Sequence, residues 1–359
     1  MHNRPDNGYS ERRWHKNTRH LTHWRSHPMI TARLAALALM GVIFPGVAAG
    51  AATQADKQAD KYPERPIRWI VPYPPAGTTD ILARIMGQWL SQQLRQQVVI
   101  DNRPGAGNNI GTELAIKAQP DGYTLFLVNP ANAINATLYS KLPFNFLKDM
   151  EGVAGIVRVP NMMVVTRDLP AKSVPEFIDY AKKNPGKVNM ASSGSGTSVH
   201  LTGELFKAAT GLSDMLHVPF KGAGPALIEL VGGRNVQVLF DNMPSSIGHV
   251  RGGTLRALAV TTAKRSTALP DVPTVAETIP GFEASAWFGM SVPKGTPAAV
   301  IAKLNQAMNA GLSDPKMRAR LAELGGDPLI GTPADFWKIH AMETEKWSKA
   351  VKVSGAKVE

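Results

Sequence analysis

The sequence predicts an α/β protein made of two α/β lobes on parallel sheets. Three observations lead there. Between about residues 62 and 286, short apolar runs alternate with amphipathic stretches, the pattern of repeated βα units. The length of 359 residues suits two domains at about 150 residues each. The C-terminal stretch then turns into three helices in succession. Such helices cannot make a domain alone in this order and are expected to pack back on the first sheet. The expected division is a discontinuous first lobe, residues 62–162 plus 287–359, with an inserted second lobe, 163–286.

In chain order, residues 1–28 are polar and basic and show no hydrophobic periodicity. Met29 to Ala52 reads as a signal peptide: Arg33, an apolar run from Leu34 to Phe44, then small residues. Val47-Ala48-Ala49 and Ala49-Gly50-Ala51 both fit the cleavage rule. The run is too short for a bilayer, which takes about 20 residues. Residues 1–52 are therefore expected to be a signal peptide with an N-terminal extension, Met29 being a candidate start. Residues 53–61 form a polar spacer.

The first strand is Ile67–Pro72. The helix after it puts Ile81, Leu82, Ile85, Met86, Trp89, Leu90 and Leu94 on one face. Further strands are expected at Val98–Ile100, Tyr123–Val128, Val153–Val159, Met162–Thr166, Val188–Ala191, Val236–Phe240 and Leu255–Thr261. One helix opens at Ser173, with Pro175 in its first turn and Glu176 closing a capping box. The three C-terminal helices open with "TPAAV", "DPKMR" and "TPADF", each a Thr or Asp cap before a proline.

Composition removes several function classes. There is no cysteine, hence no disulfide, no thiolate metal site and no cysteine nucleophile. The formal charge of +12 includes the leader. Residues 1–52 hold seven Lys/Arg and two Asp/Glu, so the remainder has 33 basic and 26 acidic residues, a net of +7. That suits anionic small molecules or merely a solvated surface. No basic run with interleaved aromatics supports nucleic acid. After the leader only His200, His217, His249 and His340 remain, none in a metal-binding spacing, and no serine has a recognisable base beside it.

Ligands of open α/β sheets sit at strand C-termini, beside helix N-termini. Four corners carry chemistry for that. "VPYPPAGTTD" (Val71–Asp80) offers a glycine, two threonines and a helix start, which is either an anion cradle or a stiff turn. "VNPANAIN" offers Asn129 and Asn132, as ligand amides or as a cap. "ASSGSGTSVH" (Ala191–His200) is a Gly/Ser loop at a helix start without the lysine of a P-loop. His200 there faces the crevice or packs inside. "HVPFKGAG" brings Lys221, a ligand cation or a solvated charge, and "VQVLFDN" ends at Asp241, a ligand acceptor or a helix cap. "GAGNNIG" (Gly105–Gly111) mimics a dinucleotide fingerprint but follows the second strand, and reads better as a packing turn.

These stretches together resemble one family. "YPERPIRWIVPYPPAGTTDILAR", "DNRPGAGNNIGTELAIKAQPDGYTLFL", "SSGSGTSVHLTGELFK", "HVPFKGAGPALIELVGG", "LRALAVTTAKRSTALPDVPTVAE" and "FGMSVPKGTP" are similar to the Bug family, the extracytoplasmic solute receptors of tripartite tricarboxylate transporters. The resemblance covers nearly all of Tyr62–Glu359. It implies a type II periplasmic binding protein, two α/β lobes with a hinge and a ligand cleft between them, located in the periplasm. It also implies a small carboxylate ligand, membrane permease subunits as partners, no cofactor and no catalysis; a monomer is expected. Carried over by position, the ligand residues are Tyr73, Pro75, Gly77, Thr78, Asp80, Ser192, Gly194, Thr197, His200, Phe220, Lys221, Gly222 and Asp241. The corner amides Asn129 and Asn132 join them. Two departures stand out: Ala76 where the family usually has glycine, and Phe220 where it has tyrosine. The second implies a ligand with some apolar surface. The rival readings are an exported α/β hydrolase using Ser195 or Ser198 with His200, and a ligand sensor for a signalling partner.

Overall fold

A computed structural model describes residues 61–358. The expected signal peptide with its extension, the candidate start at Met29 and all of the spacer except Lys61 lie outside them. Among the described residues no helix is long and apolar enough to cross a membrane.

The strands are β1 (Ile67–Val71), β2 (Val98–Asn102), β3 (Thr124–Val128), β4 (Met150–Thr166), β5 (Met190–Ser192), β6 (His217–Pro219), β7 (Val238–Asn242), β8 (Leu255–Val260), β9 (Ser285–Pro293) and β10 (Asp327–Pro328). They hydrogen-bond in the order β2-β1-β3-β9-β4-β7-β5-β6, with β8 and β10 also on β4. Parallel pairing holds within β1–β3 and within β5–β7. It does not hold throughout: β9 runs antiparallel to β3 and β4, and β4 runs antiparallel to β7 and β8. The sheets are therefore mixed, which corrects the all-parallel expectation.

The stretches Val153–Val159 and Met162–Thr166 are one strand. Pro160 lacks an N–H and reads as a break, yet it sits where β4 changes partners. Pro160 pairs with Ser285 of β9 and Asn161 with Asn242 of β7. The return crossing is the segment after β8. There Thr261 donates its N–H to the Asn161 carbonyl at 2.9 Å, and its hydroxyl reaches the Ala284 carbonyl at 2.7 Å. Two adjacent crossings tied to each other make a hinge.

The helices are α1 (Thr78–Leu94), α2 (Asn109–Ile116), α3 (Pro130–Leu138), α4 (Phe146–Asp149), α5 (Val174–Lys183), α6 (Ser198–Thr210), α7 (Ala223–Gly232), α8 (Met243–Arg251), α9 (Ala298–Ser313), α10 (Pro315–Glu323) and α11 (Pro333–Ser354). Helix α1 buries Leu82, Met86 and Leu90 fully, with Ile81, Ile85, Trp89 and Leu94 at the rim of that face. Together with Trp69, Leu125 and Phe288 they form a core that also takes Leu304 and Met308 of α9. The C-terminal helices thus return to the first sheet. Asp314 and Thr332 cap α10 and α11. Helix α9 is different: its cap position is Pro297, and the Thr296 hydroxyl donates to the Pro293 carbonyl instead. A separate core around Phe177, Phe206 and Phe240 supports the second lobe.

Candidate functional site

Each βα corner ends a strand and starts a helix whose first N–H groups have no intrahelical acceptor. Five such starts converge. Thr78 and Thr79 of α1, Asn129 and Pro130 at α3, Thr197 and Ser198 at α6, Ala223 of α7 and Asn242 before α8 all line one inner cavity of about 30 Å³. A water takes about 10–15 Å³ on this measure, so the cavity holds about two water-sized atoms, such as the two oxygens of a carboxylate. Positive helix ends from both lobes face it, the setting that stabilises an anion.

An outer chamber of about 760 Å³ adjoins it, walled by Pro74, Gly105–Asn108, Tyr139, Ser193–Ser195 and Pro219–Lys221. Tyr73 and Ser193 line both spaces. The Tyr73 hydroxyl is buried and has no hydrogen-bond partner among the described residues. Burial pushes its phenol far above the usual tyrosine range, so it keeps its proton as a donor. The Lys221 ammonium is exposed and has no carboxylate within salt-bridge reach among the described residues.

Of the residues expected at the ligand, Tyr73, Gly77, Thr78, Asn129, Thr197, Gly194, Phe220 and Lys221 line these spaces. Others do not, each for a visible reason. Pro75 is exposed on the loop exterior. The Asp80 carboxylate accepts from the Ala76 N–H at 3.1 Å, from Arg84 Nε at 2.9 Å and from Asn102 Nδ2 at 3.1 Å. Burial opposes its charge, but these donors outweigh it and hold the carboxyl below the usual range. Asp80 therefore braces the loop, including Ala76, whose φ of 71° is left-handed. Asn132 accepts from the Asn129 N–H at 3.0 Å and donates to Thr112 Oγ1 at 3.1 Å; it completes the α3 capping box. Gly222, at φ 123°, lies where a Cβ would come 2.8 Å from Pro74 Cδ across the cleft.

Ser192, His200 and Asp241 are buried behind the cavity walls. The Ser192 hydroxyl accepts from the Gly194 N–H at 3.1 Å and lies 2.6 Å from His217 Nε2. His200 Nδ1 accepts from the Gly196 N–H at 3.3 Å. The two imidazoles stack with centroids 4.1 Å apart and planes 22° apart. They grip the Gly/Ser loop from behind. His200, Glu204 and His217 do place ligand atoms within 4.8 Å of one another. Imidazole lone pairs lie in the ring planes, however, and two near-parallel rings cannot both aim at one ion. Lys207 Nζ also holds Glu204 Oε1 at 3.1 Å. The cluster fits a brace better than a metal centre.

Burial pushes His200 down to about 3, helped by His217 and Lys207, and pushes His217 and His340 down to about 4 and about 3. Above about pH 6.5 these rings are neutral folded and unfolded, and their contribution to stability is complete. As pH falls from about 6.5 towards about 4, the unfolded chain takes up protons that the folded chain refuses. Stability then drops by up to about 1.4 kcal/mol per pH unit for each ring. Asp241 acts oppositely: burial pushes it up to about 7 despite hydrogen bonds from Ser245, Asn242 and Ser246, so acid relieves its cost over the same window. Three rings outweigh one carboxyl. The melting temperature should fall between pH 6 and pH 4, and a flat or rising profile in calorimetry would contradict the buried placement of the histidines.

Several walls were not expected from the sequence. Asn242 lines the inner cavity and donates through Nδ2 to Asn161 Oδ1 at 3.0 Å and to Ser198 Oγ at 3.2 Å, linking the pocket to the hinge. Gly105–Asn108, read as a packing turn, form a wall of the outer chamber. The signal for them was the glycine cluster itself.

The chain matches the profile of the tripartite tricarboxylate transporter family receptor over residues 82–355. It is 39% identical over 325 residues to Protein BugT of Bordetella pertussis, covering 90% of this chain and 98% of that one. A Rhodopseudomonas palustris protein solved with adipate superposes with a TM-score of 0.80 at 38% identity, over 83% of this chain and 100% of that one. The periplasmic binding protein BugD superposes with a TM-score of 0.79 at 34% identity, again over 83% and 100%. Two α/β lobes with a cleft of converging helix N-termini, a profile match over most of the chain and this likeness agree: the chain belongs to the tripartite tricarboxylate transporter receptor family, with the fold of a periplasmic binding protein.

Proposed function

We propose that the protein is a periplasmic receptor that closes on a small carboxylate and delivers it to the permease subunits of a tripartite tricarboxylate-type transporter. The carrying observation is the inner cavity, sized for one carboxylate and ringed by five helix N-termini from both lobes. The two lobes move against each other about the crossings at Pro160–Asn161 and Thr261–Ala284, two residues before the boundaries expected at 162/163 and 286/287. An anion that touches both sides favours the closed state by its differential contacts, and no chemical step is required. Residues 29–52 serve as the export signal.

The outer chamber takes the ligand body. Phe220, Tyr139 and the prolines give it apolar walls, and Lys221 supplies one cation at its edge. This favours an acid with an extended apolar body, such as a six-carbon dicarboxylate, over a short hydroxy acid. The adipate held by the Rhodopseudomonas relative supports that choice.

Ester hydrolysis is the less favoured reading. The nitrogen of His200 that faces the loop already accepts from the Gly196 N–H, and the close Ser192–His217 pair lies at a serine with no exposure. A nucleophile needs both a base and access.

Tyr73→Phe tests the site. The variant loses only an unpartnered hydroxyl, so its melting temperature should match the wild type. Its affinity for adipate in calorimetric titration should fall about tenfold, the weight of a hydrogen bond to a charged group. Unchanged affinity would remove Tyr73 from the ligand contacts.

A further inference from the structure

Thr78 stands at the first turn of α1 and lines the inner cavity, the position that the resemblance gives to a ligand contact. Its hydroxyl points elsewhere. Thr78 Oγ1 lies 3.0 Å from Ser245 Oγ, a residue of α8 in the opposite lobe that lines neither the inner cavity nor the outer chamber. Ser245 Oγ in turn lies 2.5 Å from Asp241 Oδ2 and 2.9 Å from the Asn242 carbonyl.

Counting protons fixes the direction of these bonds. A serine hydroxyl has one proton. Ionised Asp241 and the Asn242 carbonyl are both acceptors, so that proton goes to one of them. If Asp241 is instead protonated on Oδ2, it donates to Ser245, whose own proton then goes to the carbonyl or to Thr78. With Asp241 ionised, Ser245 has no proton left for Thr78, and Thr78 is the donor. The single hydroxyl proton of Thr78 is then directed across the cleft to the other lobe, not at a bound anion. What Thr78 offers a carboxylate is its backbone N–H.

Asp241 suits the anchoring role. It sits at the end of β7 with 1% exposure, and its other oxygen has no hydrogen-bond partner among the described residues. A carboxylate fixed by a strand end, one turn before Ser245, holds that hydroxyl in place before the lobes meet.

We propose that Ser245 is a positioning residue of the binding machinery: with Asp241 behind it, it receives the Thr78 hydroxyl on closure and latches the two lobes. The proposal rests on the reading of the protein as a receptor that closes. It reassigns the Thr78 hydroxyl and Asp241 from ligand contacts to the latch and adds Ser245, which no sequence motif marked.

The absence of cysteine allows a direct test. Lys117→Cys and Ile228→Cys place one probe on each lobe at exposed positions. Spin-label distances are measured without ligand and with adipate, in the labelled parent, Ser245→Ala, Thr78→Val and the double variant. Adipate dissociation is followed by stopped flow. Each single change should lower the closed-to-open ratio and speed adipate release by about fivefold, the weight of one neutral hydrogen bond. The double variant should be no worse than either single one, and Thr78→Ser should restore the parent values. Additive losses in the double variant would overturn the latch, because Thr78 would then act on the ligand independently. An unchanged closed-to-open ratio in Ser245→Ala would overturn it as well. If adipate does not bind the parent, the choice of ligand fails, while the ligand-free distances still decide the latch.

Discussion

Gly107→Ala should lower the affinity for adipate by ten- to a hundredfold. Gly107 has φ 58°, and a Cβ there would lie 2.6 Å from the Ser195 carbonyl oxygen and 2.8 Å from the Tyr139 hydroxyl. Ser195 belongs to the opposite lobe, and its carbonyl is backbone, so the clash is relieved only by holding the cleft ajar. The left-handed backbone adds about 1 kcal/mol of strain for any alanine, open or closed. That strain lowers the melting temperature but does not discriminate between the two states. Gly186 provides the control: its φ is 72° and a Cβ there would meet nothing within 4 Å. Gly186→Ala should therefore cost similar stability and leave the affinity unchanged. At about 1.4 kcal/mol per decade, the expected loss in Gly107→Ala is about 1.4–2.8 kcal/mol of binding. Equal affinities for the two variants in calorimetric titration would mean that Gly107 does not meet Ser195 in the bound state.

Gly289→Ala should destabilise the fold by on the order of 3 kcal/mol, at the upper end of the usual cost of overpacking. Gly289 lies in β9 between Val128 of β3 and Gly155 of β4. A Cβ there would fall inside the Phe336 ring edge and 2.7 Å from the Ala154 carbonyl oxygen. Phe336 is itself buried among Trp287 and its neighbours, so it has no free space to turn into. Urea unfolding should show a lower midpoint with an unchanged slope. A midpoint equal to the wild type would show that Phe336 packs elsewhere.

Gly289 also marks what the sequence conceals. Strand β9, "SAWFGMSVP", is buried along its whole length, so it shows neither alternation nor helical spacing. Its antiparallel insertion between β3 and β4 is what turns an expected parallel sheet into a mixed one. The strands β1, β3 and β7 were legible because a short apolar run ends at a helix start. Their corners were legible for the same reason, since strand end, glycine and hydroxyl cap follow one another in the chain. The roles of individual corner residues were not. Asp80 looks like a ligand residue until Arg84 and Asn102 are seen to occupy it. His200 depends on Gly196 and on stacking against His217, and Thr78 on Ser245, 167 positions away. Contacts across the cleft join segments distant in the chain, and local pattern carries no trace of them.

In the function proposed here the cleft binds a carboxylate by closure and does not transform it. The most direct measurement is calorimetric titration of the purified protein with adipate, malate, citrate and benzoate, with product analysis of the same mixtures. Expected are one-to-one saturable binding, tightest for the acid with the extended apolar body, a raised melting temperature in its presence and the acid recovered unchanged. No saturable binding of any of these acids, or the appearance of a product, would contradict it.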